Sequence, residues 1–354
     1  MQNPVRVNRE NLLHSLESVK SGLAPKDIIE QSSCFVFKDG RVWTYNDEAS
    51  CNGPSPLNGK FVGAVKAEKF LEVLRKLEED ELDVETTDSE LIVRGKNRRS
   101  GVYMEQQILL PVDVVEKPKT WEKLPDEFCD AVAVVKECAG ADSSRPALMC
   151  VHIHPKWLET CDSYQICRWR MKTGISQPTL IRKKSIEAAV ELGVNEFSET
   201  DRWVHFRNAA GFVVSCRKYE DEFPPLTKLF EVEGTSVALP KGLYDAVEKA
   251  QIFSAENAVE NNQVTVRLQT GKLRVRGEGV SGWYTEVKKV KYEGPTIEFM
   301  IAPKVLGELV KRHSECVISP TKIKVNGGSY IYATVLSQVE SEEEKPVATA
   351  TEEK

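Results

Sequence analysis

No stretch of this 354-residue sequence approaches the roughly 18 uninterrupted apolar residues that a membrane-spanning helix needs. The N-terminal run MQNPVRVNRENLL lacks the apolar core of a signal peptide, so the expectation is a soluble cytoplasmic protein with no membrane partner. The cysteines at 34, 51, 129, 138, 150, 161, 167, 216 and 316 are scattered and never spaced as Cys-x-x-Cys. That argues against a disulfide framework and against a zinc site, and leaves reduced, mostly buried thiols. Signatures of catalysis are missing as well. There is no nucleophile elbow and no His-Glu-x-x-His, and TGKLRV lacks the upstream glycine of a phosphate loop. GEGVSG (277–282) satisfies Gly-x-Gly-x-x-Gly as a string, but WYTEVKKVKYEG follows it and alternates like a strand. The dinucleotide fingerprint needs a helix N-terminus there to receive the pyrophosphate. His152 and His154 share one face of an expected strand without a third ligand at metal-site spacing. The expectation is therefore no catalytic residue, no metal and no cofactor.

What the chain does contain is a globular composition, 41% apolar and 29% charged, long enough for two or three domains. It also contains an internal repeat. An apolar strand leads into a basic helix and then into short turn-linked strands in segments opening at Lys60, Thr179 and Thr296. The residues leading into those helices, Val65, Ile181 and Ile301, lie 116 and 120 positions apart. Each copy has a front half of the same plan, with helices expected from about Arg9, Pro125 and Pro240 and a hairpin after each. Asp-Gly and Thr-Gly turns close the first and third of those hairpins. Pro/Gly punctuation at 116–121 and 222–235 marks the joints. The reading is an α+β chain of three tandem domains, each with two helices packed on antiparallel sheet: 1–120, 121–233 and 234–338. Residues 339–354 are acidic and poor in large apolar side chains, which predicts a disordered tail.

IAPKVLGELVKRHSE (301–315) shows how the helices are charged. Val305, Leu306, Leu309 and Val310 fall on one side at helical spacing, while Lys304, Lys311 and Arg312 project from the other with Glu308 as the sole acid. In a chain of net charge −6 this is a local excess of cations. A single such helix reads as a solvated face and decides nothing alone.

Several stretches resemble the bacterial DNA polymerase III beta subunit, the sliding clamp family, in matching order. SSRPALMCVHI (143–153) is similar to the family's Arg-Pro-x-Leu segment, and ETCDSYQICRW (159–169) to its Ala-Thr-Asp-Gly-His-Arg-Leu-Ala stretch. EDEFPPLTKLF (220–230) resembles the linker into the third domain, and the segment from Gly271 to Lys311 follows the third-domain pattern. The resemblance spans roughly residues 5 to 336. It implies a ring-forming homodimer of six domains around duplex DNA, partnered by a DNA polymerase and a clamp loader. Inward helices would neutralise phosphates irrespective of sequence, through Lys66, Lys69, Arg75, Lys76, Arg182, Lys183, Lys184, Lys241, Lys249, Lys304, Lys311 and Arg312. It also implies a pocket for linear peptides of partner proteins, at Leu148, Cys161, Ser163, Tyr164, Ile166, Phe230, Ile331, Tyr332 and Ala333. That region departs most from the family: its Thr-Asp-Gly-His-Arg-Leu run is Cys161-Asp162-Ser163-Tyr164-Gln165-Ile166 here, and its Met-Pro-Met ending is Ala333-Thr334-Val335. The alternative is a clamp-like scaffold that binds replication proteins without encircling DNA.

Overall fold

The computed structural model of the protein describes residues 4–57, 59, 61–258 and 262–339. The expected tail lies, beyond Val339, outside the described residues, as does Lys60 at the head of the first repeat. Six α-helices are present among the described residues: α1 (Arg9–Val19), α2 (Ala67–Lys76), α3 (Phe128–Val135), α4 (Lys183–Leu192), α5 (Leu243–Ser254) and α6 (Pro303–Arg312). They fall in pairs, α1 against α2, α3 against α4 and α5 against α6. None is long and apolar enough to cross a membrane. Front-half helices α3 and α5 start three residues after Pro125 and Pro240, because each proline lies in the turn that precedes its helix and cannot donate to it.

The chain divides into two compact units. One holds the described residues of Met1–Ser163 and Arg168–Pro224, the other those of Tyr164–Cys167 and Pro225–Lys354. The first unit contains two copies of one antiparallel pairing scheme. In the first copy Cys34–Lys38, Arg41–Tyr45 and Ala49–Pro54 form a meander, and Gly63–Lys66 returns alongside Cys34–Lys38. Its turn carries Asp39 and Gly40 both at positive φ, 55° and 72°, the conformation a two-residue hairpin requires. Glu81–Thr86, Glu90–Arg94 and Arg99–Glu105 form a second meander, whose last strand pairs with Gly63–Lys66. The second copy repeats this with Cys150–His154, Trp157–Cys161, Thr179–Arg182, Glu196–Glu199, Trp203–Arg207 and Val213–Tyr219.

The two copies are joined edge to edge: Val213–Cys216 pairs antiparallel with Ala49–Asn52. Phe212 lies so close over Gly53 that a Cβ there would run into its ring, so glycine is what admits the joint. Arg217 fastens it further by bonding Asp47 at 2.7 Å while lying over Trp203.

In the second unit a five-stranded antiparallel sheet runs Gly282–Lys289, Lys272–Gly279, Val264–Gln269, Ile297–Ile301 and Ser337–Gln338. Leu273, Val275, Val266, Leu268 and Phe299 point inward to meet Leu243, Val247, Leu306 and Leu309 of α5 and α6. Helix α5 rides directly on the sheet, since a Cβ at Gly277 would strike the Ala250 backbone. The GEGVSG string closes the hairpin between the first two of these strands, with no helix after it, so the context for a pyrophosphate is absent.

Eight of the nine cysteines are buried, Cys129 is half-buried and all are free thiols. Burial pushes Cys51, Cys161 and Cys316 up to about 12, which leaves them as inert packing groups. His152 Nδ1 meets Glu159 at 2.8 Å and His154 stacks on Trp157 at 3.7 Å, so both histidines are engaged by neighbours of ordinary structural kind. Among the described residues no three His, Cys, Asp or Glu side chains come together as metal ligands.

Candidate nucleic-acid interface

The second helix of each repeat begins where a strand of the core ends, so its first turn is fixed by the sheet. Pro303 opens α6 at a position whose N–H has no helical partner. Pro303, Leu306, Gly307 and Leu309 are buried, and Val305 and Val310 pack half-buried beside them. In α2 the buried set is Ala67, Phe70, Leu71 and Leu74. What remains outward is charged. Lys66, Lys69, Arg75, Lys76, Lys184, Lys241, Lys249, Lys304, Lys311 and Arg312 are exposed, and Lys183 is half-buried.

Most of these cations are held by a carboxylate of their own surface. Glu72 takes Lys69 at 3.2 Å and Lys76 at 3.0 Å, one helical turn to either side. Glu308 takes Lys311 at 3.5 Å and Arg312 at 3.2 Å. Arg75 reaches Glu17 of α1 at 2.9 Å, Lys249 reaches Glu286 at 3.6 Å, and Lys66 bonds Asp27 together with Ser33 Oγ at 3.0 Å. Lys76 and Lys69 hold the Glu72 carboxyl below its usual range, and the Tyr244 side chain raises Lys311, whose ammonium sits 4.3 Å from that ring. Among the described residues Lys183, Lys184, Lys241 and Lys304 carry no ion pair. Fixed cations of this kind can neutralise phosphates but present no rigid fork to a base edge.

Arg182 differs from the rest of the expected set. Its guanidinium lies over Tyr219 at 4.3 Å, donates to the Pro146 carbonyl at 3.2 Å and meets Glu48 at 3.5 Å, with only 19% of the side chain exposed. Those contacts commit it to the joint between the two copies, and it is removed from the candidate interface.

The residues expected to form the peptide pocket divide between the units. Leu148, Cys161 and Ser163 belong to the first, where Ser163 Oγ accepts from Arg145 at 3.2 Å. Tyr164, Ile166, Phe230, Ile331, Tyr332 and Ala333 belong to the second. There the short segment Tyr164–Cys167 runs beside the strand Tyr330–Val335: Val335 N–H donates to the Tyr164 carbonyl at 2.9 Å, and the Tyr332 hydroxyl to Gln165 at 2.8 Å. The 3-10 turn Thr227–Phe230 packs on that strand. Ile166, Phe230 and Ala333 are buried while Tyr164 is 68% exposed, an apolar floor with one projecting ring.

No family model and no curated protein matches the sequence. Solved structures do, along nearly its whole length. A DNA polymerase III beta subunit from Pseudomonas aeruginosa is 15% identical, with 95% of this chain and all of that one covered and a TM-score of 0.77. A sliding clamp from Bartonella birtlesii bound to griselimycin is 12% identical over 95% of this chain and all of that one, with a TM-score of 0.83. The beta subunit from Thermotoga maritima is 15% identical over 96% and 100%, with a TM-score of 0.80. The fold is that of the sliding clamp.

Within the clamp fold two features escaped sequence reasoning. The strand Arg99–Glu105 and the strand Gly282–Lys289 each leave part of an edge without a partner among the described residues, and they expose Tyr103, Trp283 and Val287. A fourth exposed apolar residue, Ile252, stands on α5 beside that second edge. The signal was present in the alternation of GWYTEVKK, whose odd positions Trp283 and Val287 are too apolar for a solvated edge.

Proposed function

We propose that this protein is a DNA sliding clamp, a homodimeric ring of three clamp domains per chain (1–120, 121–233 and 234–338) that encircles duplex DNA and tethers a DNA polymerase to it. The observation that carries this reading is the near-complete coverage of clamp structures by a chain whose own repeats join edge to edge. It acts by topology, and no reaction of its own is assigned. A clamp loader would open the ring, the cytoplasm is its compartment, and the segment Tyr164–Ile166 with Phe230 and Ile331–Ala333 would take the partner peptides.

The joint inside the first unit supplies a rule for the ring. There the third strand of one copy, Ala49–Pro54, pairs with the last strand of the next, Val213–Tyr219. By position in the meanders, Gly282–Lys289 corresponds to the former and Arg99–Glu105 to the latter. These are the two incomplete edges. Carrying the observed register over sets Arg99 of one chain opposite Val287 of another and Val102 opposite Tyr284. Head-to-tail pairing of unlike edges closes a ring only at the right rotation per subunit, and two chains give six domains. Complementary open strand edges also represent a hazard that a folded protein usually covers.

The test is topological. Protein loaded on nicked circular DNA should survive gel filtration at moderate salt and be lost once the circle is cut. Equal retention on circular and linear DNA would sink the clamp reading and favour a scaffold that does not encircle DNA.

A further inference from the structure

The outward face of the five-stranded sheet has a composition that duplex encirclement does not use. Alternation turns Leu273, Val275 and Gly277 toward α5, so Lys272, Arg274 and Arg276 stand on the opposite face. Arg267 and Lys289 join them from the flanking strands. Like charges are set directly opposite each other, Arg267 against Arg274 and Lys272 against Lys289, an arrangement that weakens a sheet. Among the described residues only Glu298 and Glu278 answer these five cations. Glu298 is shared by Arg274 at 3.2 Å and Arg267 at 3.9 Å, and Glu278 takes Arg276 at 3.0 Å. Lys272 and Lys289 are exposed and carry no ion pair among the described residues.

Trp283 stands in the same face, 58% exposed, with the Arg276 guanidinium 4.7 Å from its ring centroid. One side of the indole is thus braced by a cation while much of the ring remains open. The chain as a whole is acidic, so this concentration of cations around an exposed indole is a local departure from its average.

We infer that this sheet face binds single-stranded nucleic acid, with Trp283 stacking a base and Lys272, Arg274, Arg276 and Lys289 following the backbone. An exposed aromatic platform bordered by backbone-tracking cations suits a strand whose bases are unpaired, because a duplex keeps its π-faces stacked inside. Acidic polypeptide satisfies the cations but makes no use of the indole. The inference stands on the second unit alone and does not depend on ring closure.

The experiment uses the full chain and a labelled 20-nucleotide oligo-dT, which cannot form a duplex, read by fluorescence anisotropy across a salt series. Each neutralised phosphate contributes about 0.7 to the slope of log K against log salt on single strands. Lys272→Glu with Lys289→Glu should weaken binding at least tenfold and lower that slope by about 1.4. Trp283→Leu should weaken binding about tenfold with the slope unchanged, as expected for loss of a stacked base. Lys117→Glu with Lys119→Glu, exposed on the first unit and outside both basic faces, should leave oligo-dT binding as in the wild type. Binding unaffected by the sheet variants would overturn the inference. So would full competition by polyglutamate of equal charge combined with indifference to Trp283→Leu, which would assign the face to an acidic polypeptide instead.

Discussion

Glu72 and Glu308 each clamp two cations of the helix surface that the clamp reading turns toward DNA. Glu308→Gln keeps the side-chain shape, removes one negative charge and releases Lys311 and Arg312 together. At 0.1 M salt one additional phosphate contact contributes about 0.9 decade to duplex affinity, or roughly eightfold, since the slope is about 0.9 per contact. If release of the pair yields one such contact, affinity for a linear duplex should rise about eightfold and the salt slope should steepen by about 0.9. Glu72→Gln should do the same through Lys69 and Lys76, and the two changes should add because they lie on different helices of different units. The fold should be indifferent, because exposed pairs of this spacing contribute little to stability. Anisotropy with a fluorescent 30-base-pair duplex, repeated with a scrambled sequence, reads both affinity and slope. Unchanged or weaker binding in both variants would refute the argument, since it would mean that these faces do not meet phosphates.

The subunit edge is tested by Val287→Glu with Ile252→Glu, which should convert a dimer into a folded monomer in light scattering at tens of micromolar; a dimer that persists would exclude the proposed edge pairing. In the peptide site, Ile166→Glu places an unpaired charge where the side chain is 8% exposed, and it should abolish binding of a polymerase's terminal peptide with the oligomer intact. Unaltered peptide affinity would remove Ile166 from that site. His205 is fully buried between Ser215 and Thr200, and burial lowers its pKa to about 4. The unfolded state therefore binds the proton first, so stability falls as pH drops from about 6.5 to about 4, by about 3 kcal/mol in all. Thermal melts of His205→Gln should lack that part of the pH slope, and a parallel pH dependence would show that His205 does not titrate with folding. Burial raises Glu116, but bonds from Thr200 and from the Arg202 N–H and guanidinium outweigh it and bring it to about 2. Its contribution should disappear only as pH falls from about 4.5 toward 2, below the His205 window, and Glu116→Gln should flatten that lower limb alone.

The repeat was legible because its period is carried by local signals. Alternation in CFVFK and RVWTY, a turn of Asp39-Gly40, and a 3.6-residue apolar stripe in KVLGELVKR each specify an element without help from distant residues. The order of those elements then identified the fold. Charge partners were not legible, because they are set by which surfaces meet. Glu17 lies 58 residues from Arg75, and Glu48 lies 134 from Arg182, so no window of sequence reports that these cations are already engaged. Arg182 illustrates the cost: it stands in a basic run, Arg182-Lys183-Lys184, yet its neighbours hold it in the joint. The open edges were hidden for a related reason. A strand such as Arg99–Glu105 reads the same whether its far side is paired or bare, and only the folded sheet distinguishes the two.

A ring that slides must not be held by its own lining, and the side-chain pairing bears on that requirement. Had every exposed cation of the helices been unpaired, ten or more phosphates per chain would be neutralised, and a slope of about 0.9 for each would imply salt-sensitive binding too tight for movement. Instead Glu72, Glu308, Glu17, Glu286 and Asp27 occupy their partners, and the four lysines without an ion pair lie two on each unit. A phosphate that meets one of the paired cations gains it only by displacing a carboxylate already within 4 Å, so that step exchanges one ion pair for another at little net change in energy. In the clamp reading, retention on DNA is then left to closure. On the proposed pairing, opening the ring would separate two strand edges whose backbone hydrogen bonds have no counterpart in the sliding step. Hence charge changes on the helices should alter the salt dependence of association with linear DNA far more than the lifetime on a closed circle, and changes at Val287 or Ile252 should do the reverse.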